Sequence, residues 1–579
     1  MNLTQIHFLR PGNPAYTGLC LPQTATTSLP NLCWYLYKPA KTILIFCFTF
    51  LLLGCAEQKE PSSPNVLFLF ADDLNDVVMG GHPQMISPNI DKLMQMGTNF
   101  TNAHTNAPLC APSRASMVTG LMPHTSGYFG GVQYDWRENP KLADAITFME
   151  YFSANGYKVM GTGKIFHHRH PDTTVWINQD GSYLHGHNFS FGPFPWDGKN
   201  DKANGWGIKH PDFPSLHTDV LCTSLANVPV IAPDPEQNIP GHAGWRLYYD
   251  EFKYNHENDR DLMPDELNAK WAVDQLQQDH DKPFLMCVGF NRPHAPLIAP
   301  QKYFDMFPLE DIQLAEAWPN DTADCADILV DSADYGTGAH GYFNYNTIND
   351  FDPEGLKKWT QAYLACVAFV DDQIGKILTA LENSKYAENT IIVFSSDHGY
   401  HMGQKKWLFK NTLWGKATRV PYVWAGPGIQ AGATSDVPVS LVDIYPSLVD
   451  LCNLSGDPNV NPNQLALDGE SLRPLLESAD GKLNRDYAVS YVSSGTHKEP
   501  KGIIGNYRDH HAAIISDTYR YIRCYNGEEE LYNFRKDPME RVNLVFNDEN
   551  HSVLTTMRQQ YEVLDQKDAP EAELAKSIK

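Results

Sequence analysis

Asn65-Val66-Leu67-Phe68-Leu69-Phe70 is a short apolar run that stops at Ala71-Asp72-Asp73. A run without polar alternation suits a strand buried on both faces of a parallel sheet. Phe284 to Val288 and Thr390 to Ser395 read likewise, and the latter stops at Asp397-His398-Gly399. Between them, Glu354 to Glu382 carries Trp359, Val367, Val370, Ile374, Ile377 and Leu381 at helical spacing, an amphipathic helix that would cover the sheet. Strands alternating with helices give an α/β fold with an open sheet. Ligands of such sheets bind beyond the carboxyl ends of the strands, which is where Asp72, Asp73 and Asp397 fall, with His398 beside the third. Three carboxylates brought together repel unless a cation neutralises them. Hard oxygen donors favour Ca²⁺ or Mg²⁺ over zinc, which takes more nitrogen or sulfur.

The chain has 579 residues, a hydrophobic content of 42% and a formal net charge of -24. That charge argues against a nucleic-acid partner and requires any anion to be held by a local cationic pocket. Thr42 to Leu53 is apolar, follows Lys38 and Lys41, and is too short to span a bilayer, so it reads as a signal-peptide core. Leu52-Leu53-Gly54-Cys55 looks like a bacterial lipobox. Cys55 would then carry lipid and tie an exported protein, in the periplasm or at the cell surface, to the outer membrane. Of the eleven cysteines, Cys222, Cys287, Cys325, Cys366, Cys452 and Cys524 show no paired spacing, so no disulfide is expected. The expected organisation is a leader over 1–54, a linker over 55–63, a large domain over 64–478 and a C-terminal subdomain over 479–579. Asp172 to Ala243, rich in Gly, Pro, Asn and His, reads as long inserted loops. Tyr519 to Ile522 and Glu530 to Tyr532 read as antiparallel strands of the smaller subdomain.

Cys110-Ala111-Pro112-Ser113-Arg114, followed by Thr119-Gly120, reads as a helix start: Pro112 suits a first turn, and Ala115 to Val118 can continue it. A group at a helix N-terminus meets free N–H donors, which favours an oxyanion. The run resembles the type I sulfatase signature. In that family a separate maturing enzyme, either formylglycine-generating or anaerobic, oxidises the cysteine to formylglycine, whose hydrated aldehyde attacks sulfate esters. The resemblance extends in order from Asn65 to Leu544 and includes Tyr363-Leu364-Ala365-Cys366, Leu441 to Ser447 and Asp468 to Leu476. It implies the alkaline-phosphatase-like fold, a large mixed sheet flanked by helices plus a smaller C-terminal α+β subdomain.

The same resemblance assigns roles. Asp72, Asp73, Asp397, His398 and the modified Cys110 would hold one divalent cation, Ca²⁺ with Mg²⁺ as the alternative. In Gly163-Lys164-Ile165-Phe166-His167, Lys164 would hold sulfate and His167 would contact the formylglycine hydroxyl, whereas His168 and His170 would belong to the loop. In Asn291-Arg292-Pro293-His294-Ala295-Pro296, His294 matches the leaving-group acid, and an alkyl sulfate has a poor alkoxide leaving group that needs such a donor. Lys410 resembles the second sulfate-binding lysine, and Arg114 would bind charge on oxygen. His398 stands where many sulfatases place Asn and looks more like the iduronate-2-sulfatase branch. Gln404 stands where Glu is common, and His401 is near enough to the metal segment to touch substrate. The expected substrate is a sulfated oligosaccharide from an algal polymer, ulvan first. The alternatives are a glycosaminoglycan sulfatase, a phosphodiesterase or phosphonate hydrolase of the same fold, and an inactive lectin-like protein.

Overall fold

A computed structural model describes residues 63–567 except 130–134, 168–172, 200–220, 237, 248–249, 317, 319, 331–353, 460–464, 479 and 494–509. The leader, Cys55, His168 and His170 lie outside the described residues.

Eight strands form the main sheet: β1 (Asn65–Asp72), β2 (Gly97–Phe100), β3 (Lys158–Gly163), β4 (His185–Asn188), β5 (Phe284–Pro293), β6 (Thr390–Ser396), β7 (Tyr422–Ala425) and β8 (Ala433–Ser435). Their spatial order is β8-β2-β7-β6-β1-β5-β3-β4. The five from β6 to β4 run parallel, and β7 is antiparallel to both its neighbours. β1 is central, with Leu67 opposite Met286 on one side and Ile392 on the other.

Alternation along β1 builds two hydrophobic layers. Leu67 and Leu69 point into one cluster with Trp359, Val367, Val370 and Ile374, the buried stripe of the helix Gly355–Glu382. Val66, Phe68 and Phe70 point into the other, covered by Ala115 and Val118 of the helix Cys110–Thr119 and by Leu448 of the helix Ile444–Leu451. At about 25 cal/mol per Å² of apolar surface, burying side chains on both faces makes this strand the backbone of the core. The expected strands and covering helix are present, with Phe284 to Val288 extended to Pro293 so that His294 follows the strand directly.

A second, four-stranded antiparallel sheet joins Ala488–Ser493, His510–Ile515, Tyr519–Arg523 and Glu529–Asn533. One face packs on Leu554, Met557 and Leu564 of the last helix, and the other on Trp407, Leu413 and Trp414. That second contact supports the segment that carries Lys410.

One expectation needs correction. The Gly- and His-rich stretch from Asp172 to Ala243 is not all loop, because His185–Asn188 adds the edge strand of the main sheet. Cys222, Cys287, Cys325, Cys366, Cys452 and Cys524 are all buried and form no disulfide among the described residues.

Candidate active site

The carboxyl ends of β1 and β6 deliver Asp72 and Asp397, both fully buried. Asp73 follows at φ 66, a left-handed conformation that costs a non-glycine residue about 1–2 kcal/mol. The surroundings fix it: its carbonyl accepts from the Tyr363 hydroxyl at 2.7 Å, and its N–H donates to Asp397 Oδ1 at 3.1 Å. Lys164 arrives from the end of β3 through Gly163, at φ +73, where an added Cβ would lie 1.9 Å from the Gly289 carbonyl oxygen. Gly289 in turn lets the Lys164 backbone pass, since a Cβ there would lie 2.3 Å from the Lys164 carbonyl.

Cys110 is the first residue of its helix, as the sequence implied, and Arg114 projects one turn further on. Ser113 donates its hydroxyl to the Asp397 carbonyl at 2.5 Å, tying this helix to the end of β6. Lys410 comes from a segment with Lys405, Lys406, Phe409 and Asn411 all at positive φ. Strain of this kind persists where neighbours over-determine the backbone. Here the smaller sheet does so: Trp414 Nε1 donates to Glu530 at 2.9 Å, Arg520 donates to the Leu413 carbonyl at 3.0 Å, and Gly415 N–H donates to Glu540 at 2.7 Å.

The structure thus brings nine of the ten sequence-derived residues into one cluster. Lys164 Nζ pairs with Asp72. Arg114 donates Nε to Asp397 at 2.9 Å and Nη2 to Asp72 at 3.1 Å. Lys410 Nζ lies 2.6 Å from Asp73 and 3.0 Å from Cys110 Sγ. His398 Nε2 lies 3.3 Å from Cys110 Sγ, and His294 Nε2 is 3.8 Å from Asp73. The tenth, His167, is half-buried and lies four residues past the end of β3. His401 is fully buried, with Nε2 2.7 Å from the Thr412 hydroxyl.

Carboxylate repulsion alone turns out to be a weaker case for a metal than the sequence suggested, because Arg114, Lys164 and Lys410 already face the three carboxylates. His398 makes the stronger case. Its Nδ1 lies 2.9 Å from the Gly399 carbonyl and must donate to it, which leaves a lone pair on Nε2. Burial pushes its pKa down to about 4, so the ring is neutral. That lone pair can accept the Cys110 thiol proton at 3.3 Å, and carboxylate oxygens of Asp73 at 3.4 Å and Asp397 at 3.7 Å crowd the same side of the ring. Donor atoms of Asp72, Cys110, Asp397 and His398 lie within 4.8 Å of one another, and a second such group joins Asp73, Cys110 and His294. A carboxylate-rich set completed by a neutral imidazole fits a divalent cation.

Electrostatics separate the groups. Burial pushes Asp73 up to about 7, helped by Asp72 and Asp397 and opposed by Lys410. For Asp72, burial is outweighed by Lys164, His294, Arg114 and Lys410, which hold it well below the carboxylate range. Burial pushes the Cys110 thiol up to about 12 in spite of Lys164 and Lys410, so it is protonated at neutral pH and is no thiolate nucleophile. Burial, with Lys410 beside it, holds His294 well below its ordinary value.

Sequence reasoning missed Phe191, whose ring lies 4.3 Å from the His294 ring and 4.4 Å from Lys164 Nζ. The clustered aromatics Phe189, Phe191, Phe194 and Trp196 in an otherwise polar stretch were its signal.

Residues 64–454 match the sulfatase family model, and residues 403–567 match the model of the N-sulphoglucosamine sulphohydrolase C-terminal region. A sulfatase from Formosa agariphila is 34% identical over 501 residues, 84% of each chain. An ulvan-active sulfatase from the same organism is 26% identical over 524 residues, covering 87% of this chain and 82% of that one. Among solved structures, a phosphonate monoester hydrolase from Silicibacter pomeroyi superposes with a TM-score of 0.63 at 18% identity, covering 88% of this chain and 96% of that one. At that identity the likeness speaks for the fold alone.

Proposed function

The chain belongs to the sulfatase family and hydrolyses sulfate esters, and from that premise we propose that it desulfates oligosaccharides of a sulfated algal polymer, ulvan first, with Cys110 matured to formylglycine. The observation that carries the maturation is the state of Cys110. A buried thiol pushed up to about 12, at a helix N-terminus and 3.0 Å from Lys410, has the position of a nucleophile without the ionisation of one. Oxidation to the aldehyde resolves that mismatch.

A bound divalent cation supplies Lewis-acid polarisation of a sulfate oxygen, and formylglycine supplies a geminal hydroxyl as nucleophile. Asp72, Asp73, Asp397 and His398 would hold the ion. Lys164 and Lys410, which lie beside Asp72 and Asp73, would offer N–H donors to sulfate oxygens. Arg114 holds Asp72 and Asp397 in place and lends positive charge from below. His294 Nδ1 donates to the Ala295 carbonyl at 2.6 Å, which leaves Nε2 facing the site to protonate the leaving alcohol oxygen. The free site keeps this ring neutral, and the negative charge of a bound sulfate ester favours the imidazolium needed for donation. His167 is assigned the proton exchange with the formylglycine hydroxyl on the family resemblance alone. A lipid-anchored protein in the bacterial envelope, tethered at Cys55, would meet such oligosaccharides during import.

The ulvan reading is supported by the activity named for the Formosa relative. The glycosaminoglycan reading is supported by His398, where the sequence follows the iduronate-2-sulfatase branch. Sulfate release measured by ion chromatography separates the two: lyase-digested ulvan should be desulfated, and release confined to heparan or chondroitin oligosaccharides would reject the algal substrate. Turnover of para-nitrophenyl sulfate beside bis-para-nitrophenyl phosphate tests the chemistry, and faster cleavage of the phosphate diester would favour the phosphonate-hydrolase reading.

A further inference from the structure

The chain that leaves the edge strand β4 returns to the active site as Phe189-Ser190-Phe191-Gly192. The Phe191 ring stacks on the His294 imidazole with centroids 4.3 Å and planes 29° apart. The same ring lies 4.4 Å from Lys164 Nζ, and Phe189 meets it edge-on at 5.4 Å. Phe191 is half-buried, and its ring meets two groups of the site, His294 and Lys164, as well as Phe189.

Both partners of the stack are tied to one buried group. The Arg292 guanidinium donates Nη1 to the Phe191 carbonyl at 2.9 Å and to the His294 carbonyl at 3.3 Å. Its Nη2 donates to the Gly192 carbonyl at 3.3 Å, and its Nε to the Ile298 carbonyl at 2.8 Å. The planar fork therefore locks the Phe191 segment and the His294 turn into one unit. The imidazole is held along one edge by Nδ1 on the Ala295 carbonyl at 2.6 Å, and the stacked face limits its rotation about the remaining bond.

We propose that Phe191 is a positioning residue for proton donation: its ring, clamped by Arg292, holds the His294 imidazole so that Nε2 points at the leaving-group oxygen. This rests on the reading of His294 as the leaving-group acid. A misaimed donor slows substrates that need a proton and spares those whose leaving group departs unaided. Substitution also removes an aromatic contact, worth about two- to tenfold in rate if the whole contact serves alignment.

The test uses the full-length matured enzyme and two probes, para-nitrophenyl sulfate and phenyl sulfate, whose phenolate is about as basic as that of tyrosine, pKa about 10. Phe191→Leu should lower kcat on phenyl sulfate about two- to tenfold more than on para-nitrophenyl sulfate. Phe191→Tyr should restore the loss, and Phe191→Leu should add nothing in a His294→Ala background. Equal losses on both probes, or an additive loss in the double variant, would overturn the proposal. His294→Ala measured alone reports on the acid assignment itself: equal losses on both probes would sink that assignment, while the double-variant comparison still decides whether Phe191 acts through His294. Should Phe191→Leu melt below the assay temperature, Phe191→Met carries the same comparison.

Discussion

Ca²⁺, the ion we propose for this site, should bind with an affinity that depends on pH through one carboxyl group. Asp73 is pushed up to about 7 by burial and by Asp72 and Asp397, so the metal-free protein holds a proton there in mildly acidic solution. A cation needs the ionised carboxylate and must displace that proton. Above about pH 7 the affinity should be flat; below it, each pH unit should weaken binding tenfold, about 1.4 kcal/mol. At about pH 5.5 the loss is 1.5 units, roughly 30-fold or about 2 kcal/mol. Asp72, held well below the carboxylate range, and His398, at about 4, should stay ionised and neutral respectively and contribute nothing to that window. The sign for the stability of metal-free protein is the opposite: folding raises this pKa from 3.8 to about 7, so the stabilising contribution of protonated Asp73 is present at low pH and lost as pH rises through about 7. Added Ca²⁺ should therefore raise the melting temperature more at about pH 8 than at about pH 6. Titration calorimetry of the chelated, re-purified protein in buffers of different ionisation enthalpy would count the released proton directly. Asp73→Asn should lose both the proton release and most of the affinity. A Ca²⁺ affinity that does not change with pH across this range, or an Asp73→Asn variant that binds as tightly as the parent, would refute the reasoning.

Two further predictions concern the frame of the site. Arg114→Met should destabilise by about 3–5 kcal/mol in thermal or denaturant unfolding, because it takes the buried guanidinium from Asp397 and leaves Asp72 with Lys164 alone of its two paired cations; Arg114→Lys should recover only part, since one ammonium cannot span both carboxylates in place of the fork. Gly163→Ala should cost about 2–4 kcal/mol, adding an overpacked Cβ against the Gly289 carbonyl to a strained positive φ, and should raise KM for para-nitrophenyl sulfate by moving Lys164, whereas a melting temperature and KM equal to the parent's would contradict the close backbone approach.

The parts of the fold legible in the sequence are those in which one physical cause dominates. Val66 to Phe70 and Ile391 to Phe394 are buried on both faces, so their sequences are unbroken apolar runs, and the polar residues that follow mark the carboxyl edge of the sheet. The helix Gly355–Glu382 shows its buried stripe by spacing alone. His185–Asn188 escaped because an edge strand of four residues, with a Gly and two His, carries no hydrophobic pattern and is held by pairing with β3. The pairing of carboxylates with cations escaped for a different reason. Lys164 and Lys410 meet Asp72 and Asp73 across 92 and 337 residues of chain, and no local pattern encodes a contact made by the topology.

Peptide mass spectrometry of residue 110, in protein matured with a formylglycine-generating enzyme and assayed on para-nitrophenyl sulfate, tests the central claim most directly. The account predicts the aldehyde in place of the Cys110 thiol, turnover in proportion to the fraction converted, and no turnover from Cys110→Ala. Full turnover from protein whose Cys110 is an intact thiol would contradict it.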